Sequence, residues 1–204
     1  MQDKRVVLDI ETKKSFDEVG GRNNLEKLGV SVVGIYQYAT NEYRCYEEKE
    51  FGLLQNLLID ATLIIGFNHI QFDMPVLQPH FSVDVKKLPC FDIMLNLQEK
   101  LGHRIGLDSL ASATLGVGKT GSGLDAIRFY NEGRFEELKS YCLNDVKVTK
   151  DVYEFGLKNK KVHFNSKFGQ TKKELKVDWS AHGKNSVNKL AETSQAEPAQ
   201  YKLF

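Results

Sequence analysis

Apolar and polar positions change period several times along the chain. Residues 5–10 (RVVLDI) are a short apolar run rich in β-branched side chains, which predicts a buried strand. Residues 29–38 (GVSVVGIYQY) and 43–47 (YRCYE) predict two more strands, with Ala39-Thr40-Asn41-Glu42 as the hairpin turn between them. Gly20, Gly21 and Asn23–Asn24 mark residues 16–28 as a loop. Helical spacing of apolar groups covers 50–60, and 62–67 (TLIIGF) is again strand-like. A helix is expected to begin within Phe72–Leu77, since Pro75 is tolerated in a first turn. Residues 88–92 (LPCFD) predict a last strand, after which Asp92 would cap the next helix. Further helices are expected at 107–115, 124–131 and 134–157. Strands first, then strands alternating with helices, imply an α/β fold with a mixed sheet covered by helices over residues 1–157.

The pattern changes after that. VHF and ELKVDW flank a Gly-containing turn (NSKFGQT), which predicts a small basic hairpin over 158–179. Residues 180–199 are polar and weakly periodic, so 180–204 reads as a flexible tail. Charge follows this division. Residues 1–157 carry 18 basic and 23 acidic side chains, a balance of −5, whereas Lys158 to Lys189 holds nine Lys against Glu174 and Asp178, a balance of +7. An acidic body beside a lysine-rich segment requires an explanation. No run of 18 apolar residues is present to span a membrane, and MQDKRVVLDIE lacks the apolar core of a signal peptide, so a cytoplasmic protein is expected. Cys45, Cys90 and Cys142 are odd in number and widely spaced, which argues for buried free thiols rather than a disulfide framework or zinc knuckle.

Three places on the chain carry candidate chemistry. Asp9 and Glu11 lie two apart on the first strand, and strand side chains alternate, so both carboxylates share one face. Like charges held together are costly unless a cation or proton lies between them. Hard oxygen ligands suit Mg²⁺ or Mn²⁺. Taken alone the pair is a weak signal, and two solvated acids at a strand end is the plainer reading. Asp73, in GFNHIQFDMPVL, follows a strand and loop and sits among apolar residues, where an acid could simply cap a helix. Tyr141 and Asp145 are four apart on an expected helix, hence on one face.

Together these residues are more specific than each is alone. In order and spacing, Asp9, Glu11, Asp73, Tyr141 and Asp145 resemble the DEDD exonuclease superfamily. VVLDIET is similar to its first motif, GFNHIQFDMPVL to its second (N-x₃-F-D), and YCLNDV to the Y-x₃-D third motif of the tyrosine subclass, DEDDy. The histidine subclass needs His five residues before the last Asp, where this chain has Ser140. The resemblance spans about residues 4–157 and is greatest to stand-alone ribonuclease H-like exonucleases related to the exonuclease domain of family B DNA polymerases.

The resemblance implies a ribonuclease H-like fold, a five-stranded mixed sheet flanked by helices. It also implies 3′–5′ exonuclease activity on single-stranded DNA or RNA in replication or repair, releasing nucleoside 5′-monophosphates with two divalent cations. Asp9 would bridge both ions, Glu11 and Asp145 would bind the one that activates water, and Asp73 would hold the second. Two ions roughly 3.5–4 Å apart stabilise the attacking and leaving oxygens of an in-line displacement. Tyr141 would orient the attacking water, since a phenol with an ordinary pKa near 10 suits hydrogen bonding better than bulk base catalysis. Thr12 at the end of the first motif, and Asn68, His69 and Phe72 in the second, would line the strand's path. The alternatives are an exoribonuclease and a non-catalytic nucleic-acid or sliding-clamp adaptor on the same fold.

Other features were weighed beside these. ATLGVGKT (113–120) fits a loose phosphate-loop pattern, but DSLASATL before it reads as helix, not strand, which excludes that function; Lys119 in the same glycine-rich loop is still a candidate phosphate contact. His103 and Arg104 precede a helix and could also meet a phosphate. The lysines of 158–176 interleave with Phe164 and Phe168, and Trp179 follows. Lysines on backbone and aromatics on bases would guide a single strand; a hairpin packing its aromatics on the body explains the same pattern. The chain ends QYKLF, and Gln200, Leu203 and Phe204 resemble the short peptide by which bacterial replication proteins bind the sliding clamp.

Overall fold

The structure is a computed structural model that describes residues 2–117, 121, 123–166 and 171–180. Five strands form the main sheet: β1 (Arg5–Thr12), β2 (Val30–Gln37), β3 (Glu42–Tyr46), β4 (Leu63–Gly66) and β5 (Cys90–Asp92). Their order is β3-β2-β1-β4-β5. β1 pairs antiparallel with β2 and parallel with β4, and β5 adds parallel to β4. The sheet is therefore mixed, with antiparallel strands on one side of β1 and parallel ones on the other. Helices α1 (Phe51–Asp60), α2 (Asp73–Leu77), α3 (Ile93–Leu101), α4 (Leu107–Leu115), α5 (Gly123–Asn131) and α6 (Phe135–Asn159) complete the body.

Strand alternation divides the core. Val6, Leu8 and Ile10 join Leu54, Leu58, Val76 and Leu77 on one face, whereas Val7 joins Phe91, Leu97, Val146 and Tyr153 on the other. Asp9 and Glu11 follow Val7 on that second face, where α6 packs across β1 and β2. The helix comes close because Gly34, paired with Asp9 across the ladder, has no Cβ; one added there would lie 2.8 Å from Cys142 Sγ. β1 runs two residues beyond the expected 5–10, because Thr12 still pairs with Val30 past an irregularity after Glu11. Asp92 caps α3 as expected, its carboxylate accepting the Leu95 N–H at 3.1 Å. α4 ends at Gly116 with φ 74°, so ATL of the phosphate-loop-like run is helix.

β6 (Lys161–Asn165) and β7 (Lys172–Lys176) form the expected hairpin as a separate two-stranded sheet. Of its two readings, packing on the body is what Phe164 and Trp179 show, at 5% and 1% exposure. Trp179 stacks on Tyr153, with centroids 5.8 Å apart, and its Nε1 donates to Asn96 Oδ1 at 2.8 Å. Phe168, most of the expected tail and the clamp-like residues Gln200, Leu203 and Phe204 lie outside the described residues, as does Lys119. Among the described residues no helix is long and apolar enough to cross a membrane.

Candidate active site

Three separate elements deliver the acids to one place. β1 supplies Asp9 and Glu11 from adjacent same-face positions. α2 supplies Asp73 at its first residue, buried at 4% exposure, and α6 supplies Tyr141 and Asp145 one turn apart. Ligand atoms of Asp9, Glu11 and Cys142 all lie within 4.8 Å of one another. The remaining acids are close enough to act on them. Burial pushes Asp9 well above the usual carboxylate range, and the charges of Asp73, Glu11 and Asp145 push it further. Glu11 is raised in the same way by burial, Asp145 and Asp73. Burial raises Asp73 to about 8, with Asp92 adding to the rise, against the N–H groups of Asp73 itself and Ile10, which hold it down. Asp145 rises to about 6 through burial and the charge of Asp108, a residue with no earlier role.

This electrostatic pattern tests whether a cation fits. Among the described residues, no Lys, Arg or His forms an ion pair with Asp9, Glu11, Asp73 or Asp145. Buried like charges without a counter-charge favour protons or metal. The donors are chiefly hard carboxylate oxygens, so the residues fit divalent cations of the magnesium kind.

Tyr141 is half-buried beside these acids. Its phenol is raised by burial first, then by Asp145, Glu11 and Asp9. Its ring lies against Gly121, where a Cβ would come within 2.8 Å of Cε2, and Gly121 has φ +153°. The Cys142 thiol, on the next residue, donates to the Asp9 backbone carbonyl at 3.6 Å. Sequence reading missed that contact with the site; the glycine inside an otherwise β-branched strand is the signal that something packs closely there.

Beside Glu11 opens a cavity of about 300 Å³, lined by Ile10, Glu11, Thr12, Phe16, Phe72 and α5 residues including Leu124. Thr12 is thus at the site, although its hydroxyl is engaged, donating to Lys14 O at 2.9 Å. Phe72 meets Phe16 edge-on at 5.9 Å. Asn68 is partly exposed on the loop before α2. His69 is the correction. It has 0% exposure and fills the space under Gly66, where a Cβ would lie 2.5 Å from its Cγ. Its Nδ1 is 3.6 Å from Asp92 Oδ2, and burial lowers its pKa to about 4 despite Asp92, so the ring is neutral and structural rather than strand-facing. Of the other phosphate candidates, His103 is exposed and its Nδ1 lies 3.1 Å from Leu101 O. Arg104 is engaged with the second-motif loop.

Residues 6–156 match the RNase_H superfamily. The chain belongs to the RNase_H superfamily. No curated protein matches it. Among solved structures, this RNase H superfamily chain is similar to the family B DNA polymerase from the hyperthermophilic archaeon Pyrobaculum calidifontis, at 18% identity and a TM-score of 0.56. That likeness covers 75% of this chain and 24% of the polymerase, so the chain spans about a quarter of that relative's length. At that identity the likeness is one of fold.

Proposed function

We propose that this protein is a 3′–5′ exonuclease of the DEDDy kind, acting on single-stranded nucleic acid, chiefly DNA, with two divalent cations. One observation carries the reading: beyond the effect of burial, Asp73 and Asp145 lie close enough to Asp9 and Glu11 for their charges to raise the proton affinity of both, beside Tyr141 and a cavity of nucleotide size. The water oxygen bonds to the phosphorus of the terminal phosphodiester as the P–O3′ bond breaks, a proton from the water ends on the 3′ oxygen of the shortened strand, and a nucleoside 5′-monophosphate leaves. A divalent pair, when bound, supplies a nucleophilic water at neutral pH and neutralises charge on the departing oxygen.

The chain's own residues do the rest. Asp9, Glu11, Asp73 and Asp145 would hold the cations. The Tyr141 hydroxyl, kept protonated by burial and then by its acidic neighbours, orients the water by a hydrogen bond and does not act as a bulk base. Phe16, Phe72 and Leu124 offer apolar walls to the terminal nucleoside, and Leu124, 69% exposed, is free to be covered by it.

The test is incubation of end-labelled single-stranded DNA and RNA with Mn²⁺ and either the native protein or Asp9→Ala. The reading expects stepwise shortening from the 3′ end by the native protein only. Absence of shortening on both substrates would overturn it.

A further inference from the structure

Outside the acid cluster, the same edge of the sheet carries chemistry of the opposite kind. Arg104, in the segment between α3 and α4, donates from Nη2 to Oδ1 of Asn68 and to Oε1 of Gln71, the latter at 3.2 Å. Its Nε lies 3.5 Å from Met94 Sδ. A guanidinium only donates, so both amides must turn their oxygens toward it. Their amino halves are left with no acceptor among the described residues. Among those residues Arg104 has no carboxylate partner either, although the nearby site is built of carboxylates. Of these three solvent-accessible side chains, the two amides thus turn their oxygens toward the guanidinium, and together the three present to solvent two amino groups and one positive charge.

This trio is held in place. Asn68 has φ +63°, a left-handed conformation that Asn tolerates, and its N–H donates to Asp92 Oδ1 at 2.9 Å. The Ile70 N–H donates to the other Asp92 oxygen at 3.0 Å. β1 and β4 run parallel with Val7 level with Ile65, so the chain just past β4 reaches the level of Asp9 on the neighbouring strand. The donor trio therefore sits at the carboxyl ends of the parallel strands, the edge at which open α/β sheets bind ligands.

We propose that Arg104, with the carboxamides of Asn68 and Gln71, binds the phosphodiester backbone of the single strand upstream of the bond being cut. A phosphodiester supplies acceptors and a negative charge, the complement of a guanidinium flanked by two amino groups. This rests on the nuclease reading and adds to it a phosphate-binding residue that contributes no ligand to the metal.

Arg104→Gln and Arg104→Lys would be compared with native protein on an eight-nucleotide strand. Arg104→Gln is expected to raise KM about tenfold with kcat within about twofold, and Arg104→Lys to recover roughly half of that loss on a logarithmic scale. Fluorescence anisotropy with Ca²⁺ in place of the catalytic ion should show the same weakening, and a slope of log K against log salt shallower by about 0.7 for Arg104→Gln. Inhibition by a nucleoside 5′-monophosphate should be unchanged, because the trio contacts the strand and not the terminal nucleotide. Unchanged KM and salt slope would overturn the inference while native shortening of the strand kept the nuclease reading. A fall in kcat together with melting temperature would reduce Arg104 to a strut for the loop, and equal weakening of mononucleotide inhibition would move its contact to the terminal phosphate; either result overturns the proposal. A native protein that neither shortens nor binds the strand removes both readings together.

Discussion

Charge is handled in opposite ways at the two ends of this molecule. Around β1, α2 and α6, Glu11 and Asp73 are buried, Asp9 and Asp145 are partly buried beside them, and every one of the four is driven toward its protonated form. In the β6–β7 hairpin, charges stand in water and pair locally: Lys161 Nζ meets Glu174 Oε2 at 2.7 Å, with 42% and 44% of the two side chains exposed. The hairpin is held by other means. Val162 and Phe164 are buried on alternate positions, and Trp179 is enclosed by Tyr153 and Phe91. Thr114 Oγ1 donates to His163 O at 2.8 Å and accepts the His163 N–H at 2.9 Å, fastening β6 to α4. Burial, not the number of charges, separates the two regions. Charge that is retained where it destabilises the fold marks function, and charge at an exposed pair marks little.

The strongest way to break this contrast is to neutralise one buried acid. Asp9→Asn and Asp145→Asn should each lower strand-shortening activity by at least about 10³-fold, because each removes a ligand of the proposed cation site. The metal-free form of Asp9→Asn should melt higher than the native protein, since the substitution removes repulsion from three neighbouring acids. Activity retained in either variant, or a lower melting temperature for metal-free Asp9→Asn, would show that the acids are not working as a unit. Tyr141→Phe should lose less, roughly 10²-fold, and keep its metal-induced rise in melting temperature.

pH tests the same site without substitution. Asp73 binds its proton more tightly folded, at about 8, than unfolded, near 3.8. The folded chain therefore holds the extra proton below pH 8, and metal-free stability falls as pH rises toward that value. His69 acts in the other sense, because its folded value near 4 makes stability rise with pH up to about its ordinary 6.5. Between pH 6.5 and 8.5 the carboxylate effect stands alone, and melting temperature in chelator should fall. Added Mn²⁺ takes the place of the lost protons, so its stabilising increment should grow over the same range. A flat or rising chelator curve between those limits contradicts the assignment.

The hairpin end predicts loss of stability without loss of chemistry. Trp179→Ala should destabilise the fold by about 3–5 kcal/mol, read as a drop in denaturation midpoint, with rate per folded molecule unchanged. Gly156→Ala attacks the same contact from the other side, since its Cβ would lie 2.1 Å from the Trp179 ring. The two changes should be far from additive, because the smaller side chain in Trp179→Ala makes room for the added methyl.

Local patterns account for how much of this was readable in the chain. Strand alternation placed Asp9 and Glu11 on one face, helical spacing placed Tyr141 above Asp145, and the cap at Asp92 followed from a polar residue ahead of an apolar helix. What escaped depends on contacts between distant segments. His69 sits inside because Gly66 lacks a side chain and Asp92 arrives from β5, and nothing in NHIQFD itself reports either fact. Arg104 reaches across 36 and 33 residues to its amides, and Cys142 across 133 to Asp9. The lysines of 158–176 left two readings open, and the sequence alone leaned toward a hairpin packed on the body. Their spacing is right for a nucleic-acid surface, but the aromatics interleaved with them at 164 and 179 are the hairpin's anchors.

Glu174→Gln is the finest test of the contrast, and its expected effect is the smallest. Lys161 holds the Glu174 carboxyl below its usual range by a hydrogen bond, with His163 adding to it, so the pair is electrostatically real. Both partners nevertheless keep much of their hydration, and holding two flexible side chains in one geometry costs entropy that offsets the attraction. Their ladder bonds to one another's strands and the buried Val162, Phe164 and Trp179 remain untouched by the change. Melting temperature at low and at moderate salt should therefore match the native protein within error, as should strand shortening. A clear drop at low salt that disappears as salt is added would mean that the hairpin is held by its surface charges after all, and the division between a costly buried site and an inert charged surface would have to be redrawn.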